Sequence, residues 1–124
     1  QGYSSAASDV YKRQGQRVCQ ILINFLTNAE KHTTQGEIRL HCSLTENPGY
    51  VTFSVTDTGT GIPPEYSETI FERFEKADSF GQGTGLGLNI CRLIAERLKG
   101  KVLLDKEYKE GARFVFVLPV KKSI

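Results

Sequence analysis

The apolar residues of this chain change their spacing along the sequence, and each change marks a new element of secondary structure. From Gln16 to His32 they recur at steps of three and four residues, which is the period of an amphipathic helix. The next apolar residues alternate with polar ones on either side of residues 46–49, which predicts a β-hairpin. A second helical pattern begins at Leu86, and Gly100 is expected to end that helix as its C-cap.

The remaining patterns predict a two-layer architecture. Two further strands are predicted at 102–104 and 114–118, and a short helix is predicted between Pro63 and Phe74. A glycine-rich stretch at 81–87 is expected to be a mobile loop. This order of elements places the helices against one face of a mixed, mostly antiparallel sheet. The sequence therefore predicts the α+β class, as a two-layer α/β sandwich.

The N-terminal residues differ in origin from the rest of the chain in our interpretation. Residues 9–14 read DVYKRQ, which is the in-frame translation of a transposon end used to prepare sequencing libraries. We therefore expect residues 1–14 to be a non-native, disordered leader and residues 15–124 to form one globular domain. The natural protein is then expected to extend further upstream. The alternative is a natural, flexible terminus.

The composition argues against several classes of site and partner. The 16 basic residues exceed the 14 acidic residues by only two, so we expect neither nucleic acid nor a membrane surface as a direct partner. No apolar run approaches the roughly 20 residues that a bilayer-spanning helix requires. The three cysteines contain no Cys-x-x-Cys pair, which argues against a disulfide framework or a zinc site. We expect Cys19, Cys42 and Cys91 to be buried in a reducing cytosol.

Three polar residues of the first helix form the first candidate for ligand binding. Asn24, Asn28 and Lys31 are separated by four and three residues, so they lie near one stripe of the helix surface. Asparagine has a poor helix propensity, and two on one stripe indicate a use for their amide oxygens. The alternative is a solvated helix face.

An acid followed by two alternating glycines is the second candidate. The apolar run that ends at Val55 leads directly into Asp57, Gly59 and Gly61. A carboxylate at a strand end is a fixed acceptor for an exocyclic amine, and the glycines allow backbone to approach a flat ligand closely. The alternative is an ordinary turn with a solvated aspartate.

The glycine-rich loop at 81–87 is the third candidate. It leads into the second helix, and backbone N–H groups at a helix start favour anions such as phosphate oxygens. It matches neither a dinucleotide fingerprint nor a P-loop. The alternative is a flexible loop that binds no ligand.

Four short segments together resemble a known family. The helix NFLTNAEKHT, the turn DTGTGIP, the segment IFERF and the loop GQGTGLGL follow one another in this order. In order and spacing they resemble the four nucleotide-binding boxes of sensor histidine kinases, which are members of the GHKL ATPase superfamily. The resemblance covers residues 17–119 and implies a Bergerat-type ATP-binding fold that lacks its first strand and has an unpaired sheet edge. It also implies ATP and Mg²⁺ as ligands, held between the helices and the sheet, and protein-histidine kinase activity.

The resemblance implies roles for individual residues. Asn28 would supply an amide oxygen to Mg²⁺, which suits a hard cation, and Asp57 would accept a hydrogen bond from the adenine amino group. The catalytic residues implied are Asn24 near the phosphates, Lys31 as a countercharge and Arg73 facing the γ-phosphate. The other nucleotide contacts implied are Gly59, Gly61, Ile62, Gly83, Thr84, Gly85, Leu86 and Gly87.

The group that accepts the phosphate is expected to lie outside this sequence. Neither His32 nor His41 stands in the acceptor motif of the family, and His32, where an aromatic residue is usual, is expected to pack beside the nucleotide-binding helix. The resemblance implies a histidine-containing dimerisation domain of the same kinase, a response regulator receiver domain downstream, and a homodimeric full-length protein. It implies a cytoplasmic location, as part of a membrane-bound bacterial receptor.

Other functions remain open at this point. Chaperones, gyrase-type topoisomerases and mismatch-repair ATPases share the superfamily and hydrolyse ATP, but they generally have longer lids. An anti-sigma serine kinase is closer, although it typically lacks so full an IFERF segment. A module that senses nucleotide without phosphotransfer is a third alternative, because intact binding residues do not establish turnover.

Overall fold

The computed structural model of the chain describes residues 5–67, 69–72 and 86–120. Two helices, four strands and a short 3₁₀ helix make up this part of the chain. In chain order they are α1 (Ser5–His32), β1 (Ile38–Ser43), β2 (Tyr50–Asp57), the 3₁₀ helix (Pro64–Tyr66), α2 (Leu86–Arg97), β3 (Lys101–Leu104) and β4 (Ala112–Pro119).

The four strands form one antiparallel sheet in the order β1-β2-β4-β3. Val55 in β2 lies opposite Leu40 in β1 and Phe114 in β4. Helices α1 and α2 contact each other and the sheet, and the buried side chains of both helices share one core with those of the sheet. The predicted α+β fold is therefore confirmed.

Aromatic side chains dominate the core between the two layers. Phe25 of α1 packs on Phe114 of β4, with their ring centroids 5.3 Å apart, and both side chains are fully buried. Phe71 meets Phe114 edge-on at 5.9 Å, so the segment after the 3₁₀ helix joins the same core. Each such aromatic side chain removes a large apolar surface from water, which stabilises the packing of the helices on the sheet.

The start of α1 differs from the sequence prediction. The helix begins at Ser5 rather than at Gln16, so residues 5–14 are helical where we expected a disordered leader. Once a helix is nucleated, each added residue gains a hydrogen bond, and a stretch with alanine, lysine, arginine and glutamine can continue it. The foreign origin of residues 1–14 stays a prediction.

The end of α2 corrects a second prediction. The residue with positive φ is Lys99, at 68°, and not Gly100. The N–H of Lys99 donates to the carbonyl of Glu96, and that of Gly100 donates to Ala95, which is a Schellman ending. Gly100 is needed for a different reason, because a Cβ there would overlap the carbonyl oxygen of Val117 in β4.

Two adjacent substitutions at this helix end should change stability in opposite directions. Lys99→Gly should raise the free energy of unfolding by about 1 kcal/mol, because glycine adopts a positive φ without steric cost. Gly100→Ala should lower it by roughly 1–3 kcal/mol, because the new Cβ meets backbone. Urea unfolding measures both changes. A destabilising Lys99→Gly or a neutral Gly100→Ala would contradict this geometry.

The cysteine prediction holds for one residue of three. Cys91 in α2 is buried, whereas Cys19 in α1 and Cys42 in β1 are exposed. The apolar pattern of β1 misled the prediction, because β1 is an edge strand of the described sheet and its first five residues are exposed. In the part of the chain that the structure describes, no helix has the length and hydrophobicity needed to cross a bilayer.

Candidate functional site

Asp57 is a buried carboxylate at the end of β2. It is 1% exposed, and its Oδ1 accepts hydrogen bonds from the N–H groups of Gly59 at 2.9 Å and Ala112 at 3.2 Å. Two backbone donors on one oxygen fix the orientation of the carboxylate. Neither of these two bonds uses the other carboxylate oxygen, Oδ2.

The turn after Asp57 is docked on the end of α1. The N–H of Thr60 donates to the carbonyl of His32 at 3.1 Å, and a Cβ on Gly59 would overlap that same carbonyl. Gly61 has φ of +77°, which favours glycine. The two predicted glycines are therefore needed, although Gly59 makes room for a helix end rather than for a ligand.

A cavity of about 550 Å³ opens beside this turn, which is a size typical of small-molecule sites. Of the predicted site residues, Gly61 and Ile62 line it. Gly111 and Ala112 also line it, and both lie against the buried Asp57. The other lining residues are His32, Thr60, Pro63, Pro64, Ser67, Leu104, Asp105, Lys106, Tyr108 and Lys109.

The polar stripe of α1 lies outside the lining of this cavity. Asn24 faces the start of α2, where its side-chain oxygen would lie 3.7 Å from a Cβ placed on Gly87. Asn28 is half-buried one turn further along, and Lys31 is exposed. The structure therefore places Asn24 beside the N-terminus of a helix, where the helix dipole favours an anion.

The contact between Asn24 and α2 also involves Cys91. Burial raises the pKa of the Cys91 thiol to about 11, and a hydrogen bond from the Asn24 side chain partly offsets this effect. The thiol donates to the carbonyl of Ile21 at 3.8 Å, so it acts as a packing group in the core. These contacts hold Asn24 on the side of α1 that faces α2.

Several predicted site residues cannot be placed in this geometry. Arg73, Gly83, Thr84 and Gly85 lie outside the described residues, as do most of the predicted loop and the end of the predicted short helix. Leu86 and Gly87 are the first residues of α2.

The loop between β3 and β4 was not predicted from the sequence as part of the site. Asp105, Lys106, Tyr108 and Lys109 all belong to it and line the cavity. The spacing and composition of this polar loop do not indicate that it lies beside the cavity. Its place there is set by the pairing of β4 with β2 and β3.

The fold and the site define a class of protein: an α+β domain with a cavity of ligand size beside a buried strand-end carboxylate. A family model described as histidine kinase-, DNA gyrase B- and HSP90-like ATPase matches residues 14–122. The chain belongs to this family.

The similar proteins include a sensor protein and histidine kinases. Sensor protein SrrB of Staphylococcus aureus is 40% identical over 108 residues, which cover 83% of this chain and 18% of that protein. The structure of full-length ShkA in complex with AMPPNP is 41% identical, with a TM-score of 0.72, over 83% of this chain and 21% of that one. The nucleotide-free catalytic domain of histidine kinase ThkA is 35% identical, with a TM-score of 0.71, over 84% of this chain and 67% of that one. The chain is a histidine kinase-type ATPase domain that spans less than a fifth of the length of SrrB.

His32 should make stability depend on pH. Burial lowers its pKa, the charge of Asp57 opposes this shift and that of Lys31 adds to it. Between the folded and unfolded pKa values the unfolded state binds more protons, so the free energy of unfolding should fall as the pH drops below about 6.5. His32→Gln should flatten this dependence in urea unfolding between about pH 7.5 and 5.5. The control is His41→Gln on the exposed strand β1. If the free energy of unfolding depends equally on pH in both variants, His32 is not the source of the dependence.

Proposed function

We propose that this chain is the ATP-binding catalytic domain of a two-component sensor histidine kinase. It binds Mg-ATP and transfers the γ-phosphoryl group to a histidine on a separate dimerisation domain. The main support is the geometry of Asp57, whose carboxylate is oriented by two backbone N–H groups next to a cavity of ligand size.

Adenine recognition follows from the chemistry of a buried carboxylate. An ionised carboxylate oxygen accepts hydrogen bonds and cannot donate them. Oδ2 of Asp57 therefore complements the exocyclic amine of adenine, which is a donor. Guanine has a carbonyl at the equivalent position, and two acceptors facing each other in a buried site are unfavourable. The glycine at 61 and the apolar side chain of Ile62 provide a cavity wall that a flat base can approach.

The phosphates belong at the junction of α1 and α2 in this proposal. Asn24 lies beside the N-terminus of α2, and the exposed Lys31 is a flexible countercharge at the end of α1. The half-buried Asn28 between them offers a neutral amide oxygen, which fits Mg²⁺ whose other ligands are phosphate oxygens and water. When bound, Mg²⁺ neutralises charge that develops on the transferred group. Arg73, Gly83, Thr84, Gly85, Leu86 and Gly87 complete the proposed nucleotide site.

The nucleophile is supplied by another domain. His32 lies in the cavity wall and its carbonyl is held by Thr60, while His41 lies on β1 at the edge of the sheet. We therefore also propose a partner domain with an acceptor histidine, a downstream response regulator and a homodimeric full-length protein in the cytoplasmic part of a bacterial receptor. The similarity to a sensor protein and to a histidine kinase catalytic domain is in keeping with this part of the proposal.

Phosphotransfer to a separate acceptor is the direct test of this function. The chain is incubated with ATP labelled at the γ-phosphate, Mg²⁺ and a purified dimerisation domain that contains an acceptor histidine. Acid-labile label should appear on that domain and should be absent from its His→Ala variant. Binding of ATP without labelling would contradict the kinase and favour a nucleotide-sensing module.

Asp57→Asn should weaken ATP binding roughly 10- to 100-fold, because it replaces a charge-assisted acceptor by a neutral amide of the same shape. Binding of GTP should change much less. Isothermal titration measures both affinities, and Glu46→Gln in the exposed β1–β2 hairpin is the control for loss of one negative charge. Equal ATP affinity in the parent and Asp57→Asn would remove Asp57 from the site.

A further inference from the structure

The loop between β3 and β4 contacts the strand end that holds Asp57. The hydroxyl of Tyr108 donates to the main-chain carbonyl of Asp57 at 3.0 Å. Gly111 approaches the same residue so closely that a Cβ there would overlap the Asp57 carbonyl, and the N–H of Ala112 holds Oδ1. Main chain and side chain of Asp57 are thus both held from the β3–β4 side.

Tyr108 is itself held by its own loop. The guanidinium of Arg113 lies over its ring, 4.9 Å from the centroid, and pairs with the carboxylate of Asp105 at 3.3 Å. Nε of Arg113 donates to the hydroxyl of Thr56 at 3.0 Å, next to Asp57 in β2. The N–H of Tyr108 donates to the carbonyl of Asp105 at 3.3 Å. These contacts hold Tyr108 in position for its hydrogen bond to Asp57.

The hydroxyl of Tyr108 remains a donor at neutral pH. Desolvation raises its pKa, and the carboxylates of Glu110 and Asp57 act in the same direction. A protonated phenol that donates to the Asp57 carbonyl restrains rotation of the peptide group after Asp57. That rotation would move the turn N–H of Gly59, which is one of the two donors to Oδ1.

We infer that Tyr108, supported by Arg113, is a positioning residue that orients the carboxylate of Asp57 for selective recognition of the adenine amino group. The inference rests on the proposed function, because it requires that Asp57 binds adenine. It assigns no direct contact between Tyr108 and the reacting phosphate. We therefore expect Tyr108 to affect only the discrimination between bases.

The test compares two nucleotides that differ only at the base. ATP and purine riboside 5′-triphosphate, which lacks the exocyclic amine, are titrated into the parent chain and into Tyr108→Phe. Phenylalanine keeps the ring under Arg113 and removes only the hydroxyl. The preference for ATP should fall roughly two- to tenfold, which corresponds to one neutral hydrogen bond, while binding of the purine analogue stays unchanged.

Two further variants complete the experiment, one as a control and one as a second test. Tyr50→Phe removes an exposed phenol at the opposite end of β2 and should keep the parent preference. Arg113→Gln removes the cation beside Tyr108 and its ion pair with Asp105, so it should lower the preference in the same direction. Thermal unfolding without nucleotide checks that each variant is folded.

The outcomes separate this inference from the proposed function. If the parent chain does not prefer ATP over the purine analogue, the proposed role of Asp57 fails, and the inference fails with it. If the parent prefers ATP and Tyr108→Phe keeps that preference, only the inference is overturned. It is equally overturned if Tyr108→Phe weakens both nucleotides by the same factor, because Tyr108 then supports the fold and not the choice of base.

Discussion

The paired hydrogen bonds to Oδ1 of Asp57 are the interaction on which the site depends. They join the end of β2 and the adjacent turn at Gly59 to the start of β4, which lies 55 residues further along the chain. The carboxylate is almost fully buried, so losing one donor would leave a buried acceptor incompletely paired. Its orientation is therefore a property of the folded sheet and not of the local sequence alone.

The same turn sets the position of α1 relative to the sheet. Thr60 bonds to the carbonyl at the end of α1, and the absence of a side chain at Gly59 allows that contact. The aromatic core beneath, with Phe25 against Phe114, keeps the helix in place along its length. In the proposed function this contact between the turn and α1 sets the position of the base end of the nucleotide relative to the phosphate end, where Asn24 meets α2.

Much of the fold could be predicted because it depends on local patterns. The helical period of α1 and the alternation in β2 and β4 led to the right elements, and Asp57 and Gly61 stood out from their position after a buried strand. Features that depend on tertiary contacts were missed. Lys99 has the positive φ, while the close approach of β4 requires glycine at position 100. Cys42 is exposed on β1, an edge strand of the described sheet, and Tyr108 reaches the site through strand pairing.

A crystal structure of the chain with Mg²⁺ and a non-hydrolysable ATP analogue would test the central claim most directly. The adenine amino nitrogen should lie at roughly 2.8–3.1 Å from Oδ2 of Asp57, while Oδ1 keeps its two backbone donors. The phosphates should lie towards Asn24 and Asn28. An adenine bound away from Asp57, or phosphates on the opposite surface from these asparagines, would contradict the account.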